Sequence, residues 1–187
     1  HYMIIAVGNC EVRLELAAAA QAHGFHFATA IHPSAIVASD VEIGDGTVIA
    51  AGAVVNPGAH IGAQVIVNTS ATVAHECVIH DGAHIGPGAR MGGNVVIGKG
   101  TWVAIGATLI DRIKVGEGVI IGAGAVVTRD ITSGVVAYGV PARAIRMNDS
   151  RFLSKVEHTS DKRRPSSDDW SPTEDRGSSK ELSQILE

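Results

Sequence analysis

A triangular parallel β-helix, its wall built from six-residue repeats, is the fold this sequence predicts, and three observations predict it. Every sixth residue from Ile31 to Val127 is Ile, Val, Leu or Met. Four places after each comes a small or β-branched residue, in the series Ala35, Val41, Thr47, Ala53 and onward to Ala125. The composition is that of a core without large rings, with 22 glycines in 187 residues and 4% aromatics.

No amphipathic helix or hairpin repeats at six, but a three-sided solenoid does, with one short strand and one corner per repeat and three repeats per coil. The large aliphatic residue then points into the prism and the small one fits where the wall turns. Glycine at the corner supplies the positive φ that a side chain resists. The run from 31 to 127 amounts to about five coils, stacked at about 4.8 Å, the ordinary strand spacing.

Ahead of the repeats, residues 1–30 read as strand (3–7), helix (11–23, with Asn9 as its cap) and strand (25–30). One such unit cannot cover both faces of a parallel sheet. It predicts the C-terminal part of a small Rossmann-like, nucleotide-binding-like α/β domain, entered partway. After the repeats, residues 128–147, with Tyr138-Gly139-Val140-Pro141-Ala142-Arg143, predict a cap on the last coil. Residues 148–187, dense in charge and serine, predict a largely disordered tail or linker, with a short helix behind a Ser178/Glu181 capping box as the exception.

A net charge of −4 gives no basic footprint for nucleic acid or an anionic membrane. The two cysteines, Cys10 and Cys77, are far apart and outside any CxxC pattern, so neither a zinc knuckle nor a disulfide framework is expected. With no signal peptide and no apolar run near membrane-spanning length, a reducing cytoplasm fits best.

The repeat breaks its own rules once over two consecutive hexads. Glycine is missing from 67 to 78, and Asn68, Thr69, Ser70, His75 and Glu76 stand in its place. Such local inconsistency is where function is expected. Residues one coil apart share a face, which puts Gly93 about 5 Å along the axis from His75. His84, half a coil from His75, lies across the prism on the side of Asn68. The two imidazoles therefore cooperate only if a threefold assembly brings His75, Glu76 and Gly93 of one chain to Asn68 and His84 of the next. The chemistry open to such a site is general-base catalysis. His75 takes the proton of an attacking amine or hydroxyl, Glu76 holds its tautomer, and the Gly93 N–H meets the acyl oxygen. Cys77, at an inward small position, is a poor nucleophile.

With these residues in view, the sequence resembles the hexapeptide-repeat acetyltransferases of bacterial surface-sugar pathways. Among them are the UDP-4-amino-sugar N-acetyltransferases of bacillosamine synthesis and the sialic acid O-acetyltransferase relatives. The stretches that carry it are Gly8-Asn9-Cys10-Glu11-Val12-Arg13, Ile31-His32-Pro33-Ser34-Ala35, Val67-Asn68-Thr69-Ser70-Ala71, Val73-Ala74-His75-Glu76-Cys77, Gly92-Gly93-Asn94-Val95 and Gly139-Val140-Pro141-Ala142. The resemblance covers roughly residues 4–146. It implies a left-handed coil, acetyl-CoA as co-substrate with no metal, and a homotrimer with its sites between subunits. Transfer would run directly to an amino group, or second to a hydroxyl, of a nucleotide-activated sugar. It further implies His75 as base with Glu76 raising its basicity, and an acetyl-CoA groove lined by His84, Ile105 and Ala123 alongside Gly93. Asn68, Asn9 and Arg13 would contact the sugar nucleotide. Two departures stand out: the glycine-rich turn that holds the nucleotide in these relatives is not present, and Ala74 replaces an acidic residue that many of them carry before the histidine.

Two other readings share the prism. His75 and His80, five apart, are spaced like a zinc-binding pair of γ-class carbonic anhydrases, with His84 of a neighbour as a third ligand. A non-catalytic assembly scaffold predicts no binding of CoA at all.

Overall fold

The computed structural model describes residues 2–149, and the expected tail helix at 178–187 lies outside the described residues. In chain order the elements are β1 (Tyr2–Met3), α1 (Cys10–Ala22), β2 (His26–Phe27), a run of two-residue strands from β3 (Ala30–Ile31) to β19 (Val126–Val127), then β20 (Val135–Gly139) and β21 (Ala142–Met147). Among the described residues no helix is long and apolar enough to cross a membrane.

The strands stack into three walls. One holds six strands, one five, and one eight including β20 and β21, so the solenoid has between five and six coils. Registry is strict and parallel at one coil: Thr72 pairs with Val54 and Arg90, Val78 with His60 and Val96, His84 with Ile66 and Trp102. Each strand is two residues long because a corner follows within the same hexad. Its first residue faces out and its second in, the arrangement the hexad period predicts.

The inward ladder is dry. Val67, Val73, Ile85, Ile97, Val103 and Val127 have no exposed surface, and neither do the small corner residues Ala71, Cys77, Ala83 and Ala89. Thr47 and Thr101 occupy the same inward corner position and remain satisfied. Each hydroxyl donates at 2.7 Å to a carbonyl (Gly62, Gly116) and accepts at 3.0 Å from an amide one coil on (Val65, Val119). The ladder departs from expectation at its base, where Ile31 is 47% exposed, because the first coil has no coil beneath it. At the other end Ile131, Val135, Ala137 and Ala142 join the buried core. Asn148, expected to begin the tail, is still pinned to the solenoid through its amide to Gly134 O and its side chain to Gly118 O.

Most corners place glycine at positive φ, and the exceptions are Gln64, Ser70, Glu76, Asn94 and Arg112, with φ between 55° and 61°. Left-handed backbone costs a side-chain-bearing residue about 1–2 kcal/mol. Two of these exceptions, Ser70 and Glu76, account for the glycine gap in the sequence.

The expected strands at 3–7 and 25–30 shrink to the two-residue pair β1 and β2, which run parallel. The expected boundary at residue 30 is bridged by contacts, and the residues up to Asp149 form one compact unit. Leu14 of α1 lies so close to Gly82 that a Cβ there would collide with it.

Candidate active site

His75 sits at a corner, between Thr72–Val73 of one wall and Val78–Ile79 of the next. Its Nδ1 is 3.0 Å from Glu76 Oε2, and Asn94 Nδ2, one coil on, donates to the same oxygen at 3.1 Å. The hydrogen bond from His75, and after it the one from Asn94, holds the Glu76 carboxyl below the usual carboxylate range. A carboxylate can only accept, so in the neutral ring Nδ1 carries the hydrogen and Nε2 the lone pair. Both side chains are more than half exposed, which leaves that nitrogen open to a ligand.

The ring leans over Gly93. A Cβ on Gly93 would lie 2.5 Å from His75 Nε2 and 2.6 Å from Cε1, so a side chain there would have to push the ring aside. The expected juxtaposition of His75, Glu76 and Gly93 is therefore present. The expected open N–H on Gly93 is not, because that amide donates to Asp111 Oδ1 at 2.9 Å. The same staple recurs at Ala63 with Asp81, also one coil on, and reflects coil stacking. Cys77 is buried, and burial pushes its thiol up, which removes it as a nucleophile.

His84 faces outward on a different wall, in register with Ile66 and Trp102. Its Nε2 lies 3.0 Å from Asn68 Nδ2 and its Nδ1 3.2 Å from the Gly8 carbonyl. The Trp102 ring stacks on it at 6.2 Å between centroids. Burial, aided by the Arg13 charge, pushes the His84 pKa down against the opposing Gly8 hydrogen bond. The structure thus joins Asn68 to His84 within one chain and leaves His75 at another corner. His80 lies at the far end of Val78–Ile79 from His75, at a third corner.

Ile105 and Ala123 stand one coil apart on the edge that also carries Thr69 and Pro87. Ile105 is 58% exposed. Neither residue's N–H has an acceptor among the described residues, while the Ile105 carbonyl accepts from Gly124.

The remaining two expected ligand residues serve the fold. The Asn9 side chain accepts from Val12 N at 3.0 Å, capping α1 as its position predicts. Arg13 is 1% exposed, and its guanidinium is committed to six backbone carbonyls. The assignment of Arg13 to substrate is corrected on that ground: it has no surface to offer a ligand.

Sequence reasoning missed Asn94 and Trp102, although each lies one coil beyond a residue already singled out. It also missed the Gly8 carbonyl, for which no periodic signal exists.

A profile of the family described as bacterial transferase hexapeptide (six repeats) matches residues 26–57 and 94–129. Among solved structures, the chain is 37% identical to a mutant of the GDP-perosamine N-acetyl transferase of Caulobacter crescentus in complex with CoA and GDP-perosamine. That match covers 77% of this chain and 69% of the other, at a TM-score of 0.76. It is 41% identical to the acetyltransferase domain of PglB of Neisseria gonorrhoeae in complex with acetyl coenzyme A, covering 76% and 69% at a TM-score of 0.74. WeeI of Acinetobacter baumannii matches at 28% identity over 77% and 70%, with a TM-score of 0.66.

Proposed function

This chain belongs to the bacterial hexapeptide-repeat acetyltransferases, and we propose that it moves the acetyl group of acetyl-CoA directly onto an amino group of a nucleotide-activated sugar. The single observation that carries the reading is the His75–Glu76–Asn94 arrangement, an exposed imidazole with Nδ1 tied down and Nε2 available. As the amine nitrogen attacks the thioester carbonyl, a C–N bond forms and His75 Nε2 takes the ammonium proton. Collapse breaks the C–S bond, and the proton passes to the departing CoA thiolate. No covalent enzyme intermediate is needed.

In this reading acetyl-CoA lies along the edge bearing Ile105 and Ala123, whose free N–H groups are donors for its amide-rich arm, and the acceptor sugar approaches Asn68. Since His75 and His84 occupy different parts of one prism, a homotrimer that faces the His75 corner of one chain with the Asn68–His84 wall of its neighbour completes the site. The dependence on acetyl-CoA and a nucleotide sugar supports a cytoplasmic location.

The test is turnover of acetyl-CoA against UDP-, GDP-, dTDP- and CMP-linked amino sugars, each beside its hydroxyl analogue. The expected outcome is acetylation of an amino sugar. Binding of CoA without acetylation of any of these acceptors would overturn the acceptor class, and no binding of CoA would overturn the reading whole.

A further inference from the structure

We propose that Arg13 is a positioning residue of the transfer site: it holds the Gly8 carbonyl so that His84 is kept as its Nδ1–H tautomer, with Nε2 committed to Asn68.

The tautomer follows from the partners. The Gly8 carbonyl can only accept, so the His84 nitrogen facing it at 3.2 Å bears the hydrogen. At the other end, Asn68 Oδ1 accepts from Thr69 N at 2.7 Å, which turns the amide nitrogen toward His84 Nε2 at 3.0 Å. An NH2 group donates, so Nε2 must be the acceptor. Both ends demand the same form of the ring, and Trp102 stacked on it restrains its tilt. His84 therefore has no nitrogen left for proton transfer, and its effect is to aim the Asn68 amide.

Arg13 sets the one partner of His84 that the repeat does not supply. Gly8 lies in the turn ahead of α1, and nothing in coil stacking fixes its distance from the wall. Arg13 Nη1 donates to Val7 O at 2.7 Å and Gly8 O at 3.1 Å, while Nη2 donates to Gly82 O at 2.8 Å, two residues before His84. One rigid planar group thus spans the turn and the rung that carries the imidazole. A buried guanidinium is costly to desolvate, and here it has carbonyl partners and no ion pair among the described residues. Its charge beside the ring also opposes a second proton on His84, which agrees with the lowered pKa.

The inference rests on the proposed acetyl transfer only for what the aimed Asn68 amide does. Its test needs no turnover, so an inactive protein would overturn the function and leave this claim standing. A neutron structure of the full chain is expected to show a deuteron on His84 Nδ1 toward Gly8 O, none on Nε2, and the Arg13 guanidinium donating to Gly8 O. A deuteron on Nε2 instead, or Gly8 O out of reach of Arg13, overturns it. In solution, imidazole ¹⁵N spectra of folded Arg13→Lys are expected to show a mixture of His84 tautomers with the His75 signals unmoved. A folded variant with His84 wholly in the Nδ1–H form also overturns it. If Arg13→Lys does not fold, the neutron map alone decides.

Discussion

His75 occupies the space a side chain on Gly93 would need: its Nε2 stands 2.5 Å from where a Cβ would be. Gly93→Ala is expected to push the ring aside without disturbing the core, since Gly93 is not among the positions of positive φ. A displacement of about 1 Å costs about 100-fold in rate. We expect kcat to fall by about that factor at an unchanged Tm, and an unaltered kcat would argue against His75 as the reacting base.

His75→Ala removes the proton acceptor outright, and a loss of about 10²–10⁴-fold in turnover is expected. Glu76→Gln, which keeps the shape and loses the charge, should cost less. Steady-state kinetics with saturating acetyl-CoA separate the two, and a His75→Ala enzyme near wild-type turnover would require another base.

Asn94 supports Glu76 by its hydrogen bond. Asn94→Gly removes that donor while retaining a residue at ease with the φ of 58° there. The Glu76 pKa, depressed chiefly by His75 and then by Asn94, should rise in the variant. The carboxylate is then lost at a higher pH than in wild type, and the acid limb of the kcat/KM profile moves upward. Superimposable profiles would show that Asn94 contributes nothing to the ionisation.

His84 makes stability depend on pH. Its folded pKa is lowered, first by burial, so the unfolded chain binds more protons just below the unfolded value of about 6.5. The contribution is fully present above that pH and is lost as pH falls toward the folded pKa. His84→Gln should flatten the fall in urea midpoint as the pH drops below about 6.5. An equal slope in both proteins would place the titrating group elsewhere.

Ile97 lies in the middle of the inward ladder with no exposed surface. Ile97→Ala is expected to destabilise the fold by about 2–5 kcal/mol, through lost burial and the cavity left behind. Chemical denaturation measures it, and a change under about 1 kcal/mol would mean that the coils collapse to fill the gap.

Much of this protein was determined by its sequence alone, because a solenoid turns spacing into position. A period of six names the inward residues, and a coil of three hexads stacks Gly93 on His75 before any coordinates exist. Where the repeat has no neighbour or no authority, that arithmetic fails. Ile31 is exposed because the lowest coil has nothing under it. The Gly93 amide is claimed by Asp111, since a carboxylate one coil on can reach a corner N–H that periodicity leaves open. Only the tertiary structure decided that Arg13 is buried and that Gly8 meets His84 across 76 residues of chain. Those contacts depend on how α1 docks on the wall, a matter of side-chain fit between two segments that share no repeat.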